Sequence, residues 1–479
     1  MQAILLAACT GMAQQPFDLD TTFRTQIDTW NVFDLLPLED GDVVVSGNIK
    51  FPGDIEFRGG ARLNPDGIMD DVNFPVAYLN GKMVPWGTKF YGGSGPGVRR
   101  VNADWTLDDT FGMISSPYFS AFQGGDFHVF PDGRILMSGS HYLDDTARGF
   151  VGSYELIWFS NTGYLDTTRI HRNANGTIFR FKQLPNDQFI CAGYCTMFEG
   201  VPVGRIFKVN ADGAVDPSFQ TGVYTGLAFG YHPLADGRVI VVGKFQITGD
   251  PDTLHVVRFL ADGSLDPTFN NHLAYLRSPA LSFGYGATIS GIHAIDEDHL
   301  LVFGNFEHVD GQPRKGICMI KATGELDTEY FNDAGCGNYN YMGVNYASIE
   351  GVVQAPDSSW YVWGAYHGYD DGTTNDTLQR MVSHLYPADI AMGAQGKPFG
   401  GLRATMLVYP NPTSGNATLQ LDALPRNATL VVRDALGRAV QRRSVTDHYT
   451  TLALPGSGVY MVEVWDAQQR LATERVVVE

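Results

Sequence analysis

Residues that commonly perform catalysis or hold cofactors show no recognised spacing in this chain. The string GGSGPG (92–97) approaches the Gly-x-Ser-x-Gly pattern of serine hydrolases, but Pro stands where the last Gly is required. We therefore expect a flexible loop there. Phosphate-binding loops, dinucleotide fingerprints and the zinc-protease pattern are also missing from the sequence. We predict no catalytic residue, no cofactor-binding or metal-binding residue, and no cofactor.

Histidines and carboxylates leave the question of enzymatic activity open. The 12 histidines are scattered without ligand spacing, and we expect His128, His255 and His293 to lie on strands rather than to bind a metal. A glycosidase needs two carboxylates at a suitable distance, which a sequence does not reveal. We favour a protein without enzymatic activity. A glycoside hydrolase or lyase that acts on extracellular carbohydrate is the alternative.

Two aromatic strings, NYNYMGVNY (338–346) and WYVWGAYHGY (360–369), are candidates for ligand contact. Their rings could stack on sugars at the mouth of a binding site. Aromatic side chains more often fill protein cores, and we favour that interpretation here. A glycan or a protein remains the expected kind of ligand.

The elements that would position such residues are marked by a repeated phrase. FLADGSLDPTF (259–269) recurs with small changes as VNADGAVDPSF (209–219) and LNPDGIMDDVNF (63–74). Asp-Gly supplies the positive φ of a tight hairpin turn. The second Asp can accept backbone hydrogen bonds in the next turn, and the Phe is expected to pack between neighbouring units. A calcium loop of the EF-hand kind would need a Glu at its twelfth position, which is missing.

A second phrase, a turn followed by an apolar run that ends in Gly, occurs seven times. Its terminal glycines are 40 to 61 residues apart. The copies are LEDGDVVVSG (38–47), LNGKMVPWG (79–87), PDGRILMSG (131–139), PNDQFICAG (185–193), ADGRVIVVG (235–243), DEDHLLVFG (296–304) and PDSSWYVWG (356–364). A period of this length, built of strands and turns, predicts the blades of a radial array.

The ends of the repeat region complement each other. FDLDTTF (17–23) has the Asp-x-x-Phe tail without its strand, and QRMVSHLYP (379–387) has the strand without its tail. Together they make one unit, which predicts that the ring closes and leaves no exposed sheet edge. We therefore predict an all-β chain with a seven-bladed β-propeller over residues 16–392. The combined motifs resemble the delta-60 repeat of bacterial secreted propellers, a family that implies no catalytic residue.

The C-terminal segment has a different character. Residues 393–405 are small and Gly-rich and predict a linker. Several short strands over 406–479 predict a small antiparallel, immunoglobulin-like sandwich. VYPNP (408–412), SGVYMVEV (457–464) and the terminal RVVVE resemble the C-terminal sorting domain of the type IX secretion system. The resemblance implies a Bacteroidota-type bacterium, transit through the periplasm, recognition of 406–479 by the type IX machinery, and release or attachment at the cell surface.

Net charge restricts the partners further. The chain carries −19, and residues 1–405 hold 45 acidic against 26 basic residues, so the C-terminal segment is neutral. An acidic body repels phosphate backbones and anionic lipids, which argues against nucleic acid as a partner. No apolar run approaches the roughly 20 residues of a membrane helix.

The N-terminus predicts export. Residues 1–15 contain a small, apolar stretch typical of a secretory signal peptide, with cleavage after Ala13. The basic start of such a peptide is missing, so we expect the true start codon upstream. Lipoprotein processing at Cys9, within LAAC (6–9), and a frayed terminus are the alternatives. We expect a secreted or outer-membrane surface location.

The remaining cysteines do not identify a compartment. Cys191 and Cys195, if on one strand, would lie about 13 Å apart and could not form a disulfide. A turn separates Cys318 from Cys336, so these two could meet. Neither pair shows the spacing of a structural zinc site.

Overall fold

The computed structural model describes residues 16–70, 74, 79–93, 97–112, 118–278, 286–387, 406–421, 428–434, 438–445, 448–466 and 469–478. All the elements named within these ranges are β-strands, which confirms the all-β prediction. The chain divides into two units, Met1–Gly396 and Lys397–Glu479. The predicted signal peptide, the predicted linker and Ser94 of the GGSGPG string lie outside the described residues.

The first three sheets of the first unit each contain three consecutive antiparallel strands. They comprise β1 (Thr29–Pro37), β2 (Val43–Lys50) and β3 (Arg58–Leu63); β4 (Lys82–Trp86), β5 (Lys89–Gly93) and β6 (Arg99–Val101); and β7 (Phe119–Val129), β8 (Ile135–Asp145) and β9 (Phe150–Phe159).

The fourth and fifth sheets follow the same plan, and a small hairpin interrupts the fourth. Their strands are β10 (Ile178–Gln183), β11 (Phe189–Gly193), the hairpin β12 (Met197–Phe198) and β13 (Val201–Pro202), and β14 (Ile206–Val209); then β15 (Val223–Pro233), β16 (Val239–Ile247) and β17 (Leu254–Phe259).

Short extra strands accompany the sixth and seventh sheets. The strands are β18 (Tyr275–Leu276), β19 (Thr288–Ala294), β20 (His299–Asn305), β21 (His308–Val309), β22 (Gln312–Pro313) and β23 (Ile317–Lys321); then β24 (Gly335–Cys336), β25 (Tyr339–Tyr341), β26 (Val344–Tyr346), β27 (Ser348–Gln354), β28 (Trp360–Asp370) and β29 (Asn375–Leu385). The sixth sheet is β19-β20-β23. In the seventh, β28 lies between β27 and β29 and also pairs with β24.

The repeated phrase closes a turn beside the last strand of each of the first six sheets. In the fifth sheet, Phe259 bridges to Leu265 across the turn. The N–H of Asp266 donates to the carbonyl of Arg258, and its Oδ1 accepts from the N–H of Thr268 at 2.9 Å. The aspartates at the equivalent places accept the same bond at 2.7 to 3.0 Å, namely Asp20, Asp108, Asp166, Asp216 and Asp327. The predicted turn role of this Asp is confirmed.

The Phe of the same phrase is buried between successive sheets. Phe269 is 4% exposed and belongs to a core cluster that contains Val242 of β16 and Ile289 of β19. Phe219 likewise belongs to a cluster with Ile190 of β11 and Val241 of β16. The prediction that the Phe packs between neighbouring units is confirmed at both positions. Removing such a ring would open a cavity shared by two sheets.

The N-terminal copy of the phrase completes the last sheet. Leu19 bridges to Leu385 of β29, and the N–H of Asp20 donates to the carbonyl of His384 at 2.9 Å. Phe23 is fully buried in a cluster with Val45 of β2 and Tyr361 of β28. The predicted pairing of the two incomplete copies is therefore confirmed.

Six of the seven phrase-ending glycines lie opposite a bulge in the first strand of their sheet, where the register shifts by one residue. A Cβ at Gly243 would lie 2.2 Å from the carbonyl oxygen of Leu227, which no side chain permits. The glycines at the equivalent places would meet a backbone oxygen at 2.2 to 2.5 Å, namely Gly47, Gly139, Gly193, Gly304 and Gly364.

The assignment of residues 79–87 as one of the seven copies of the turn-strand-Gly phrase is wrong. Gly87 lies in the turn between β4 and β5, and a Cβ on it would meet nothing within 4 Å. The apolar run before Gly87 is therefore the first strand of the second sheet, and Lys89–Gly93 is the second. The two strands have similar composition and a two-residue connection, so the sequence pattern does not distinguish them.

The second unit contains two antiparallel sheets, β30-β31-β34 and β33-β32-β35-β36, around one apolar cluster that includes Leu419 and Val462. The strands are β30 (Met406–Tyr409), β31 (Asn416–Leu421), β32 (Ala428–Arg433), β33 (Ala439–Ser444), β34 (Tyr449–Ala453), β35 (Gly458–Asp466) and β36 (Gln469–Val478).

Candidate functional site

A cavity of about 970 Å³ lies where the first strands of the seven sheets meet. Each of these strands, β1, β4, β7, β10, β15, β19 and β27, contributes side chains or backbone to its wall, as does the segment that precedes β4. The charged residues of the wall are Asp34, Lys82, Asp126, Arg180, Lys182 and Glu350. We refer to this space as the central cavity.

The bulges position these side chains. The register shift in β1 lies between Val32 and Asp34, and the shift in β10 lies between Ile178 and Arg180. A bulge inserts one residue and changes the face toward which the following side chains point. Asp34 and Arg180 therefore follow their bulges directly and line the cavity. The glycine opposite each bulge allows the close backbone approach that this geometry requires.

The two aspartates of the cavity are already bonded within the protein. Asp34 accepts hydrogen bonds from the N–H groups of Met83 at 2.6 Å and Leu35 at 3.0 Å. Burial raises the pKa of Asp34 to about 6, although these bonds oppose the rise. Asp126 accepts from its neighbouring Phe127 N–H at 2.7 Å and pairs with Lys82 at 3.1 Å. Each carboxyl group thus connects its own first strand to β4 and also accepts a hydrogen bond from its own strand.

Arg180 and Lys182, by contrast, have no carboxylate within ion-pair distance among the residues that the structure describes. Both side chains are exposed on the cavity wall, two positions apart on β10. Because Lys182 is accessible from the cavity but surrounded by its walls, partial desolvation of the amine, followed by the nearby charge of Lys82, lowers its pKa. The cavity therefore contains two cations that are available to a ligand.

The histidines expected on strands are found there. His128 lies on β7, His255 on β17 and His293 on β19. The ring of His128 packs against Phe189 with centroids 5.4 Å apart, and the ring of His293 packs against Trp360 at 5.2 Å. Burial lowers the pKa of His128 and of His255 to about 4, so both are neutral at neutral pH.

The aromatic strings divide between core and cavity. In 360–369 the tryptophans and tyrosines are at most 6% exposed and belong to the core, as favoured from the sequence. In 338–346, β25 and β26 form a hairpin beside the cavity. Trp30 and Tyr346 line the cavity, with ring centroids 6.4 Å apart, and Tyr341 stacks on Trp30 at 6.1 Å. This string therefore supplies an aromatic wall as well as core.

One cluster with metal-ligating side chains was missed in the sequence. Asp250 and Asp252, between β16 and β17, and His272, after β17, bring ligand atoms within 4.8 Å of one another. The ring nitrogens of His272 lie 3.5 Å from Asp250 and 3.3 Å from Asp252, so the three groups can pair with each other. The cluster is outside the central cavity.

The four cysteines among the described residues are free and buried, so the possible bond between Cys318 and Cys336 is not formed. Burial raises the pKa of both thiols to about 12. A protonated, enclosed thiol is a poor nucleophile, and these side chains behave as small apolar residues.

In the second unit, the VYPNP string contacts the end of the chain. Asn411 donates from Nδ2 to the carbonyl of Arg475 at 2.6 Å and accepts from the N–H of Val477 at 2.9 Å. The N–H of Thr413 donates to the carbonyl of Val477 at 2.9 Å. Two strings that carried the resemblance to the sorting domain are therefore adjacent in space.

None of the described residues forms a helix that is long and apolar enough to cross a membrane.

Comparison with known proteins gives two family matches. Residues 86–111, 185–219 and 234–269 match a β-propeller domain of unknown function, DUF5122. Residues 407–479 match the secretion system C-terminal sorting domain. No curated protein sequence matches the chain.

Solved structures resemble the chain at low identity. PorZ, a bacterial surface component of the type-IX secretion system of Porphyromonas gingivalis, is 12% identical, with 94% of this chain and 81% of PorZ covered and a TM-score of 0.28. A fungal alcohol oxidase of the AA5 family, in complex with copper, is 11% identical, with 96% and 99% covered and a TM-score of 0.26. The family matches show that the chain combines repeats of the DUF5122 β-propeller family with a type IX secretion C-terminal sorting domain, which directs it to the cell surface or beyond.

Proposed function

We propose that the protein is a secreted or surface-exposed, seven-bladed propeller of a Bacteroidota-type bacterium that binds an extracellular saccharide in the central cavity and catalyses no reaction. Residues 16–392 form the propeller and 393–405 the linker. Residues 406–479 form an immunoglobulin-like sandwich that the type IX machinery recognises. Residues 1–15 act as the signal peptide for transit to the periplasm.

Two observations support a closed ring of seven blades. The N-terminal segment pairs with β29, so the first and last parts of the repeat region belong to one sheet. The first strand of the first sheet, β1, contacts both β4 of the second sheet and β27 of the seventh. In a closed ring the last sheet borders the first, and no sheet keeps an unpaired edge in the seam.

The central cavity is the observation that carries the binding role. Its volume of about 970 Å³ lies within the usual range for small-molecule sites, roughly 300–1,000 Å³. One part of the wall has the rings of Trp30, Phe33 and Tyr346, and another has Arg180 and Lys182. Aromatic faces bind the apolar faces of sugars, and charged groups fix orientation.

Hydrogen bonding of the carboxyl groups supports a role without catalysis. A glycosidase requires one carboxylic acid that can protonate the leaving group and one free carboxylate. Both oxygens of Asp34 accept backbone N–H groups, and Asp126 is paired with Lys82. Neither group is free to approach a glycosidic bond without breaking a contact that connects two sheets.

A carbohydrate hydrolase is the second candidate, because one observation favours it. The pKa of Asp34, raised by burial to about 6, suits a general acid at neutral pH, and Asp126 acts electrostatically on it. In that case Asp34→Asn should abolish turnover of a glycan and leave its binding intact.

A glycan array and a hydrolysis screen on the secreted protein test the proposal. We expect binding without turnover, and we expect Trp30→Ala to remove binding. Tyr164→Ala, an exposed ring on a distant turn, should bind normally. Because Trp30→Ala also removes packing, the exposed Phe33→Ala provides a second cavity variant, with melting temperatures compared for all proteins. Absence of glycan binding, or turnover lost in Asp34→Asn, would contradict the proposal.

A further inference from the structure

Arg180 and Lys182 are unusual for this chain. Residues 1–405 hold 45 acidic against 26 basic residues, yet these two cations face the central cavity without an ionic partner among the described residues. Lys82, the other cation on the wall, is paired with Asp126 at 3.1 Å. In a protein with such an excess of carboxylates, two unpaired cations in a concave site indicate a ligand that supplies the negative charge.

The acidic residues of the wall do not neutralise these cations. Both oxygens of Asp34 accept backbone N–H groups, and Asp126 is bonded to Lys82 and to its own strand. Glu350 accepts from the hydroxyl of Ser348 at 2.8 Å, on the strand that belongs to the seventh sheet. The two cations belong to the fourth sheet, so a carboxylate or sulfate could approach them without displacing an internal ion pair.

We propose that the central cavity selects an acidic saccharide. Arg180 and Lys182 bind its carboxylate or sulfate group, and the aromatic part of the wall that contains Trp30 contacts its sugar ring. This inference rests on the proposed function and names the ligand class for the same site. The planar guanidinium of Arg180 can bind an anionic group with two parallel hydrogen bonds, and Lys182 adds a point charge.

The position on β10 supports this role. Because alternate side chains of a strand share a face, Arg180 and Lys182 both point to the cavity while Phe181 between them is buried. The bulge between Ile178 and Arg180 sets this orientation, and Gly193 opposite the bulge permits it. The cations are therefore held by a rigid strand rather than by a loop.

Binding of three probes to the full chain, measured by calorimetry, tests the inference. The probes are trigalacturonate, its neutral methyl ester and a sulfated carrageenan tetrasaccharide. We expect the acidic probes to bind at least about tenfold more tightly than the ester. A hydrogen bond to a charged group is stronger than a neutral one by about the free energy that corresponds to a tenfold change in affinity. Affinity for the acidic probes should fall as salt rises from low to high concentration.

Charge variants supply the control. Arg180→Gln with Lys182→Gln should remove the preference for acidic probes, whereas Lys321→Gln, an exposed lysine on β23, should keep it. Equal affinity for the ester and the acids, unaffected by the double variant, would overturn the inference while saccharide binding itself stands. Failure of all three probes to bind would also overturn it, and the glycan array with neutral sugars would then decide the proposed function separately.

Discussion

Arg258 donates from Nε to Asp266 at 2.7 Å, and both side chains are nearly fully buried. Arg258 also donates to the hydroxyl of Thr268 at 2.9 Å and to the carbonyl of Ala322, which belongs to the next sheet, at 2.8 Å. One side chain therefore connects the last strand of the fifth sheet, its closing turn and the turn of the sixth.

The same arrangement occurs in the second sheet. Arg100 bonds to Asp108 at 2.6 Å, to Thr110 at 3.1 Å and to the carbonyl of Asn161 in the third sheet at 2.7 Å. Burial alone would raise the pKa of Asp266, but hydrogen bonds from Thr268, Arg238 and Arg258 hold it well below its usual range. In these two copies the Asp thus holds an arginine that connects its sheet to the next one, in addition to closing a turn.

We expect Asp266→Asn to lower the free energy of unfolding by about 2 kcal/mol, because it leaves the buried Arg258 without its counter-ion. The amide oxygen still accepts the hydrogen bonds of the turn, which limits the loss. Urea unfolding followed by tryptophan fluorescence measures the change. Asp262→Asn is the matched control in the same phrase, since the exposed side chain of Asp262 bonds to Ser264 and to no other residue that the structure describes. Similar losses for both variants would contradict this account.

A second prediction concerns the bulge. Gly243→Ala should destabilise the protein by about 3 kcal/mol or more, because the new methyl group would lie 2.2 Å from the carbonyl oxygen of Leu227. Gly87→Ala meets no atom within 4 Å and should cost about 1 kcal/mol, from its positive φ alone. Equal melting temperatures for the two variants would show that the bulge is not sterically fixed.

Much of the repeat could be predicted from the sequence because its signals are local. The Asp-Gly turn, the bonded Asp and the buried Phe each follow from residues a few positions apart. The split terminal copies predicted that the two ends of the repeat region pair, and the bridge between Leu19 and Leu385 shows that pairing. The assignment of 79–87 failed because an apolar run before a glycine describes both the first and the second strand of a short sheet.

The central cavity could not be predicted, because its wall depends on register. A bulge shifts the alternation of side chains by one residue, so period-two reasoning does not identify which residues of β10 face inward. Asp34, Asp126 and Arg180 nevertheless hold similar positions relative to the turn that follows each first strand. Alignment of the copies on that turn would have brought these charged residues into one column and indicated a shared surface.

Acidification should destabilise the first unit at pH values above those at which most of its carboxylates are protonated. Burial lowers the pKa of His128, His171 and His255 to about 4, against 6.5 in an unfolded chain. Their contribution is therefore complete above pH 6.5 and is lost as pH falls to 4, by at most about 1.4 kcal/mol per pH unit for each histidine.

Melting temperatures between pH 7 and 4 measure this loss. His255→Gln should reduce the slope in that window. Asp34 acts with the opposite sign, because its pKa is raised to about 6 and its burial penalty is relieved on acidification. Asp34→Asn should therefore steepen the slope. A flat profile down to pH 4 would contradict the histidine account.

Closure by the N-terminal segment is tested by deletion. Removal of residues 1–25 would take away the Leu19 bridge, the hydrogen bond from Leu19 to Asp371 at 2.7 Å and the fully buried ring of Phe23. We expect the melting temperature to fall by more than about 10 °C, since loss of one buried Phe alone costs about 3–5 kcal/mol. Removal of residues 1–15 is the control and should change little. Equal stability of the two shortened chains would argue against closure.

The last prediction concerns export, and it depends on Asn411. This side chain holds the terminal strand through Arg475 and Val477, so Asn411→Ala should loosen the end of β36 from the VYPNP string. We expect less protein at the cell surface of the native host and accumulation in the periplasm, measured by fractionation. Deletion of 406–479 should trap all of it there, while a chain ending at Ala391 should melt at a temperature close to that of the full chain. Asn416→Ala changes an exposed residue on β31 and should be exported normally. Normal surface delivery of the deleted chain would refute the sorting role, whereas loss of the first unit's fold on truncation would refute the independence of the two units.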